Sequence, residues 1–136
     1  MTDQKQLHKN LIISIIALAS DKQCQLDYTI PGCAICDLTE DFYTYGKYCY
    51  NPDKYSLEQN IGIGELLSIV DHFCTLDNEC FDTDVLDQSD WTTVRHKAKN
   101  VLKTFGYELT ELPKSVEVKD GFWQVNTLNY ELKKIE

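Results

Sequence analysis

Apolar residues in the first twenty positions recur at Leu7, Leu11, Ile15 and Leu18, and Ile12, Ile13 and Ile16 widen the stripe. This spacing predicts a helix over roughly 3–22, and so wide a stripe predicts that neighbours surround it as the central core helix. Residues 24–34 carry no such period and contain Pro31-Gly32, a turn signal, so they read as a connection. A second helix is expected over 34–50, because Ile35, Leu38, Phe42, Tyr45 and Cys49 fall on one side of it before Pro52-Asp53 ends it. The third opens at Ser56-Leu57-Glu58-Gln59, where Ser56 caps and Gln59 reaches back. Ile63, Leu66, Leu67, Val70, Phe73 and Cys74 form its inner face. Gly62 and Gly64 weaken its first turns by up to ~1 kcal/mol each relative to alanine, which points to close packing or a bend there.

A fourth helix is expected over 90–105, capped by Ser89 or Asp90 and stopped by Gly106. Trp91, Val94, Ala98, Val101, Leu102 and Phe105 form its core face, with Arg95, Lys97, Lys99 and Lys103 outside it. Beyond it the period changes from helical to alternating. Val116 and Val118 alternate with charged residues, and Asp120-Gly121 is a hairpin turn before Phe122-Trp123-Gln124-Val125. Residues 127–135 fit either an extension of that strand or a last helical turn. The fold class is therefore mainly α: a four-helix-type bundle over 1–108 with a small C-terminal β-hairpin or extended tail over 109–136, in one domain of 136 residues.

Charge adds a functional constraint. The chain carries a net −9, which disfavours a nucleic-acid backbone or an anionic membrane as partner. The excess is local. Residues 1–36 are balanced, residues 37–90 hold thirteen acids against only Lys47 and Lys54, and residues 91–136 are slightly basic. The N-terminal apolar run ending Ala17-Leu18-Ala19 resembles a signal-peptide core and cleavage site, but Asp3 interrupts the basic leader that such a peptide needs. The buried-helix reading is preferred. It places the protein in the cytoplasm, with its cysteines reduced and acting mostly as small buried hydrophobes.

Chemical motifs are sparse. Cys33-Ala34-Ile35-Cys36 has the spacing of a redox pair or half a zinc site, yet no βαβ pattern or second ligand pair of recognised spacing accompanies it. It reads as two small apolar residues opening a helix. Asp77, Glu79, Asp82, Asp84, Asp87 and Asp90 suggest a calcium loop, but counted from Asp82 the sixth and twelfth positions are Asp87 and Thr93 where glycine and glutamate are needed. His8, His72 and His96 are scattered, and no nucleophile elbow, phosphate loop or dinucleotide fingerprint occurs. The expectation is a non-enzymatic protein without cofactor or metal.

Phe42, Tyr43, Tyr45, Tyr48, Tyr50 and Tyr55 crowd the start of the acidic region. Phe42 and Tyr45 are expected toward the core. Tyrosines among carboxylates are characteristic of a protein-binding face, giving contact area, a polar tip and steering charge. The candidate partner-binding residues are Asp37, Glu40, Asp41 and Tyr43 on the second helix, with Asp77, Glu79, Asp82, Asp84 and Asp87 in the loop that follows the third.

The segments LTEDFYTYGKY, SLEQNIGIGELLSIVDHF and SDWTTVRHKAKNVLKTFGYE, over roughly 37–108, resemble in layout the small acidic immunity proteins of bacterial toxin–immunity systems, including contact-dependent growth inhibition. The resemblance implies a cytoplasmic protein that neutralises a cognate toxin domain, often a basic nuclease, through an acidic surface. The alternative is a small regulatory or metal- or redox-responsive protein that uses its cysteines.

Overall fold

The computed structural model describes residues 3–73 and 82–136. Five helices carry the body: α1 (Gln4–Ala19), α2 (Lys22–Thr29), α3 (Ala34–Tyr43), α4 (Leu57–Asp71) and α5 (Ser89–Thr104). A two-stranded antiparallel hairpin, β1 (Val116–Lys119) and β2 (Phe122–Gln124), follows. The mainly helical bundle with a terminal hairpin is thus the architecture observed.

Helix α1 is the centre. Every residue from Leu11 to Ala19 is buried, and the helix packs against α3 on one side and α5 on the other. Its N-terminus is capped by the Asp3 carboxylate, which accepts from the Lys5 amide at 3.0 Å. Trp91, Val94, Ala98, Val101 and Leu102 bring α5 into the core, and α4 adds Ile63, Leu66 and Val70. The Ser56–Gln59 capping box of α4 forms as the sequence predicts. A Cβ on Gly62 would stand 3.3 Å from Val101, so close packing of α4 on α5 accounts for that glycine, whereas nothing lies within 4 Å of Gly64.

Several sequence expectations need correction. The segment over 24–34 contains a helix, α2, capped by Asp21 and ended before a cis Ile30–Pro31 peptide. The helix expected over 34–50 is α-helical only to Tyr43 and continues as a π-helical turn, Thr44–Tyr48. That turn rotates Cys49 out of the apolar stripe and leaves it exposed. Cys33 occupies the N-cap position of α3, buried, and Cys36 is half-buried in its first turn. Neither Ser89 nor Asp90 caps α5, since the N-cap position is Gln88, without a side-chain hydrogen bond. Gly106 does end that helix, with a positive φ of 85°.

Arg95 is not on an outer face. It is half-buried, and its Nε donates to the Ser20 carbonyl at 3.1 Å while Nη2 donates to Gln25 Oε1 at 2.9 Å. Gln25 is 1% exposed. Its oxygen also accepts from Trp91 Nε1 at 3.1 Å, and its nitrogen donates to the carbonyls of Ala17 and Leu18 at 3.0 and 3.1 Å. One amide therefore closes the last turn of α1 and ties it to α5 through α2.

Residues 127–135 form neither alternative proposed for them. The chain returns in extended form past the end of α5, where Glu108 N donates to the Lys133 carbonyl at 2.7 Å and Ile135 N to the Gly106 carbonyl at 2.9 Å. The hairpin hangs from the body through Ser115 N, which donates to the Asp27 carbonyl at 2.8 Å.

Replacing Gln25 by leucine leaves a buried indole N–H without its partner and takes one acceptor from the Arg95 guanidinium and one donor from each of two carbonyls, so a loss of about 3 kcal/mol is expected in urea unfolding. At α4, Gly64→Ala should stabilise by about 0.5–1 kcal/mol, because the site is exposed, helical and open. The matching Gly62→Ala should gain less or lose, since Val101 must yield. Equal gains at the two positions would contradict the packing described.

Candidate partner-binding site

Helix α3 places Asp37, Glu40 and Asp41 at i, i+3 and i+4, so the three carboxylates share one face. The opposite face, Ile35, Leu38 and Phe42, is buried against the core. Burial of that face fixes which way the acids point. Tyr43, the last residue of α3, lies at the edge and donates its hydroxyl to Asp71 Oδ1 at 2.6 Å.

Two open grooves flank the acids. The first, of about 460 Å³, has Asp37, Glu40 and Asp41 along one wall and Tyr28, Ser115 and Trp123 among the residues of the other. The second, of about 470 Å³, runs from Glu40 along Tyr43, Lys47 and Tyr48 to Asp71. Glu40 belongs to both, so they form one continuous strip. Tyr48 is 76% exposed and Trp123 37% exposed at its two ends. The Lys47 ammonium lies over the rings of Tyr43 and Tyr48, 5.5 and 5.6 Å from their centroids.

The electrostatics of this strip are unbalanced. Among the described residues, none of the three α3 acids makes an ion pair. Partial burial in the groove, with the charges of Asp37 and Glu40 beside it, raises the Asp41 carboxyl to about 6. Asp37 is raised for the same reasons, burial first and Glu40 second. Burial, with Asp41 nearby, pushes the Tyr28 hydroxyl up to about 12. A β-carbon at Gly32 would come within 2.2 Å of the Asp37 carboxylate, so this glycine leaves room for the acid to fold back over the turn before α3.

No protein-family model, curated protein or solved structure matches the chain. No site residue is therefore carried over from a relative, and the geometry stands by itself.

The remaining sequence candidates lie elsewhere. Asp82 accepts from the Asp84 amide at 3.0 Å and opens a short 3-10 turn, Thr83–Asp87. Asp87 pairs with Lys22 at 2.5 Å. None of the three lines either groove. Asp77 and Glu79 lie outside the described residues. Among the residues of the strip that were not read from the sequence as part of a site are Tyr28 on α2, Asp71 at the end of α4 and Trp123 on the hairpin. Among the described residues, no group of three or more His, Cys, Asp and Glu side chains is arranged to hold a metal ion. No helix among them is long and apolar enough to cross a membrane.

Asp41 supplies a test. Its folded-state value lies above the ordinary 3.8, so the stability it contributes is fully present below pH 3.8 and is lost as pH rises through 6. Asp41→Asn should therefore melt at higher temperature than the parent at pH 7.5, with the difference shrinking toward pH 4. The side chain remains open to water, which keeps the gain small. Parallel melting curves across that range would mean that Asp41 carries no strained charge.

Proposed function

We propose that this protein is an inhibitory binding module of the immunity-protein kind, which acts in the cytoplasm and covers a basic surface on a cognate toxin domain with the acidic strip of α3. The observation that carries the reading is the set of three carboxylates on one helical face, unpaired among the described residues and bordered by exposed aromatics. Two of the three hold their protons more tightly than an ordinary aspartate. A cationic partner relieves that strain, because an opposite charge within a few ångströms favours the ionised form. Binding then offsets a cost set first by partial burial of the carboxylates and second by their mutual repulsion.

The strip also has the division of labour that protein interfaces need. Carboxylates steer encounter and fix orientation, while desolvated aromatics slow dissociation. Tyr48 and Trp123 present ring area at the two ends, with Tyr43 held in place between them by Asp71. A basic nuclease fits such a surface because its substrate cleft must attract phosphate. Carboxylates spaced along a helix meet the same cations.

The test is protection. Cells producing the cognate toxin domain should survive when the protein is co-produced. The triple variant Asp37→Asn, Glu40→Gln, Asp41→Asn should associate with the purified toxin domain about tenfold more slowly at low salt and with a flatter salt dependence. Tyr48→Ala should leave association nearly unchanged and speed dissociation. Failure to protect, with the protein folded and abundant, overturns the proposal. Protection with unchanged kinetics in the triple variant places the interface off α3.

A further inference from the structure

A further open cavity, of about 460 Å³, lies at the end of the bundle where the N-termini of α1 and α4 meet the C-terminus of α5. Its walls are Gln4, Lys5 and His8 from α1, Lys54 and Tyr55 from the segment before α4, and Gln59 and Phe105. The volume falls in the range of small-molecule sites, roughly 300–1,000 Å³. We propose that this cavity binds a small aromatic phosphate monoester, with its ring against the exposed part of Tyr55 and its phosphate between Lys5 and Lys54.

The charge argument is local. In a chain with 22 acids against 13 bases, no carboxylate among the described residues lines this cavity. Among the described residues, Lys5 and Lys54 make no ion pair, and neither does Lys134, which is close enough to help depress the protonation of His8. Asp3, the acid nearest in sequence to Lys5, spends its carboxylate on the Lys5 backbone amide. Two ammonium groups without acidic partners suit a doubly charged phosphate, which lysine binds as a point charge.

The aromatic wall is pre-formed. Tyr55 stacks on Tyr50 with centroids 5.1 Å apart, meets Phe105 edge-on at 5.2 Å and faces the His8 ring at 5.8 Å. His8 is locked between two hydroxyls, Tyr55 at 3.0 Å on Nδ1 and Tyr107 at 2.8 Å on Nε2. Because both ring nitrogens are engaged, a bound phosphate acts on His8 through its field, not by replacing a hydrogen bond. Burial and then Lys134 hold His8 below its ordinary value, and a phosphate beside it works in the opposite direction.

That opposition gives the readout. The His8 titration, followed by NMR of the full-length protein, should move to higher pH and saturate on addition of phenyl phosphate or AMP. Inorganic phosphate should bind about tenfold more weakly, and adenosine should leave the titration where it was. The Lys5→Gln, Lys54→Gln variant alters two exposed side chains, so it should fold normally and lose about tenfold or more in affinity. No saturable movement with either aromatic phosphate overturns the proposal, as does unchanged affinity in the double variant. Equal affinity for inorganic phosphate overturns the ring contact.

Discussion

The buried amide of Gln25 is the contact on which the arrangement of helices depends. Helix α1 ends inside the protein, where Ser20 is 5% exposed, so its last carbonyls cannot turn to water. Gln25 gives its two N–H groups to two of them and presents its oxygen to Trp91 and Arg95 of α5. An apolar residue at this place would fill the space and take a partner from four polar groups. The position of α2 follows, because its second turn must lie against both the end of α1 and the face of α5. Arg95 tolerates partial burial there because Asp87 and Asp21 stand near it and oppose its loss of charge. Asp21 in turn caps α2 through the Cys24 amide at 2.9 Å. Cap, amide and guanidinium form one connected polar network, of the kind that specifies a unique packing when every member is satisfied.

This network also explains where the sequence was readable and where it was not. Apolar period revealed α1, α3, α4 and α5, because each buries a continuous stripe. Helix α2 buries Gln25 and Thr29, which are polar, and so it leaves no apolar stripe to read. Its one local signal was Asp21 as a cap, three residues before Cys24. Arg95 looked solvated for the same reason, since the group that binds it is 70 residues away. The hairpin was legible from Asp120-Gly121, a purely local turn preference. The return of residues 127–135 to the end of α5 was not, because it rests on backbone pairing with 106–108.

The candidate site divides along the same line. That Asp37, Glu40 and Asp41 share a face is a matter of helical spacing, and the apolar period of α3 says which face. That Tyr28, Asp71 and Trp123 border them depends on three separate elements meeting, which no spacing encodes. Acidity alone gave no sign that Asp82 and Asp87 lie away from the α3 strip, with their carboxylates serving a turn and an ion pair. His8 looked incidental because its two partners, Tyr55 and Tyr107, are 47 and 99 residues away.

Net charge is a poor guide to what such a molecule attracts. At physiological salt a charge is felt over about 8 Å, so a ligand at one end of the bundle responds to the groups lining that end and hardly at all to the rest. The −9 total is carried by an acidic middle segment, while the first and last thirds of the chain supply Lys5 and Lys134 beside His8. Folding separates the two by packing α3 on one flank of α1 and leaving the N-terminus of α1 open at the bundle's end. Each region keeps an excess of unpaired charge of one sign among the described residues, with Lys47 the exception in the acidic strip, next to aromatic surface that is already ordered. Partial burial and, second to it, neighbouring like charges raise the energy of the free protein, most clearly at Asp41. The core meets that cost, since the buried face of α3 and the fully buried half of α1 fix the backbone whatever the surface charges prefer. The same rigid packing that makes the bundle stable therefore lets it hold, on different faces, surfaces complementary to opposite charges.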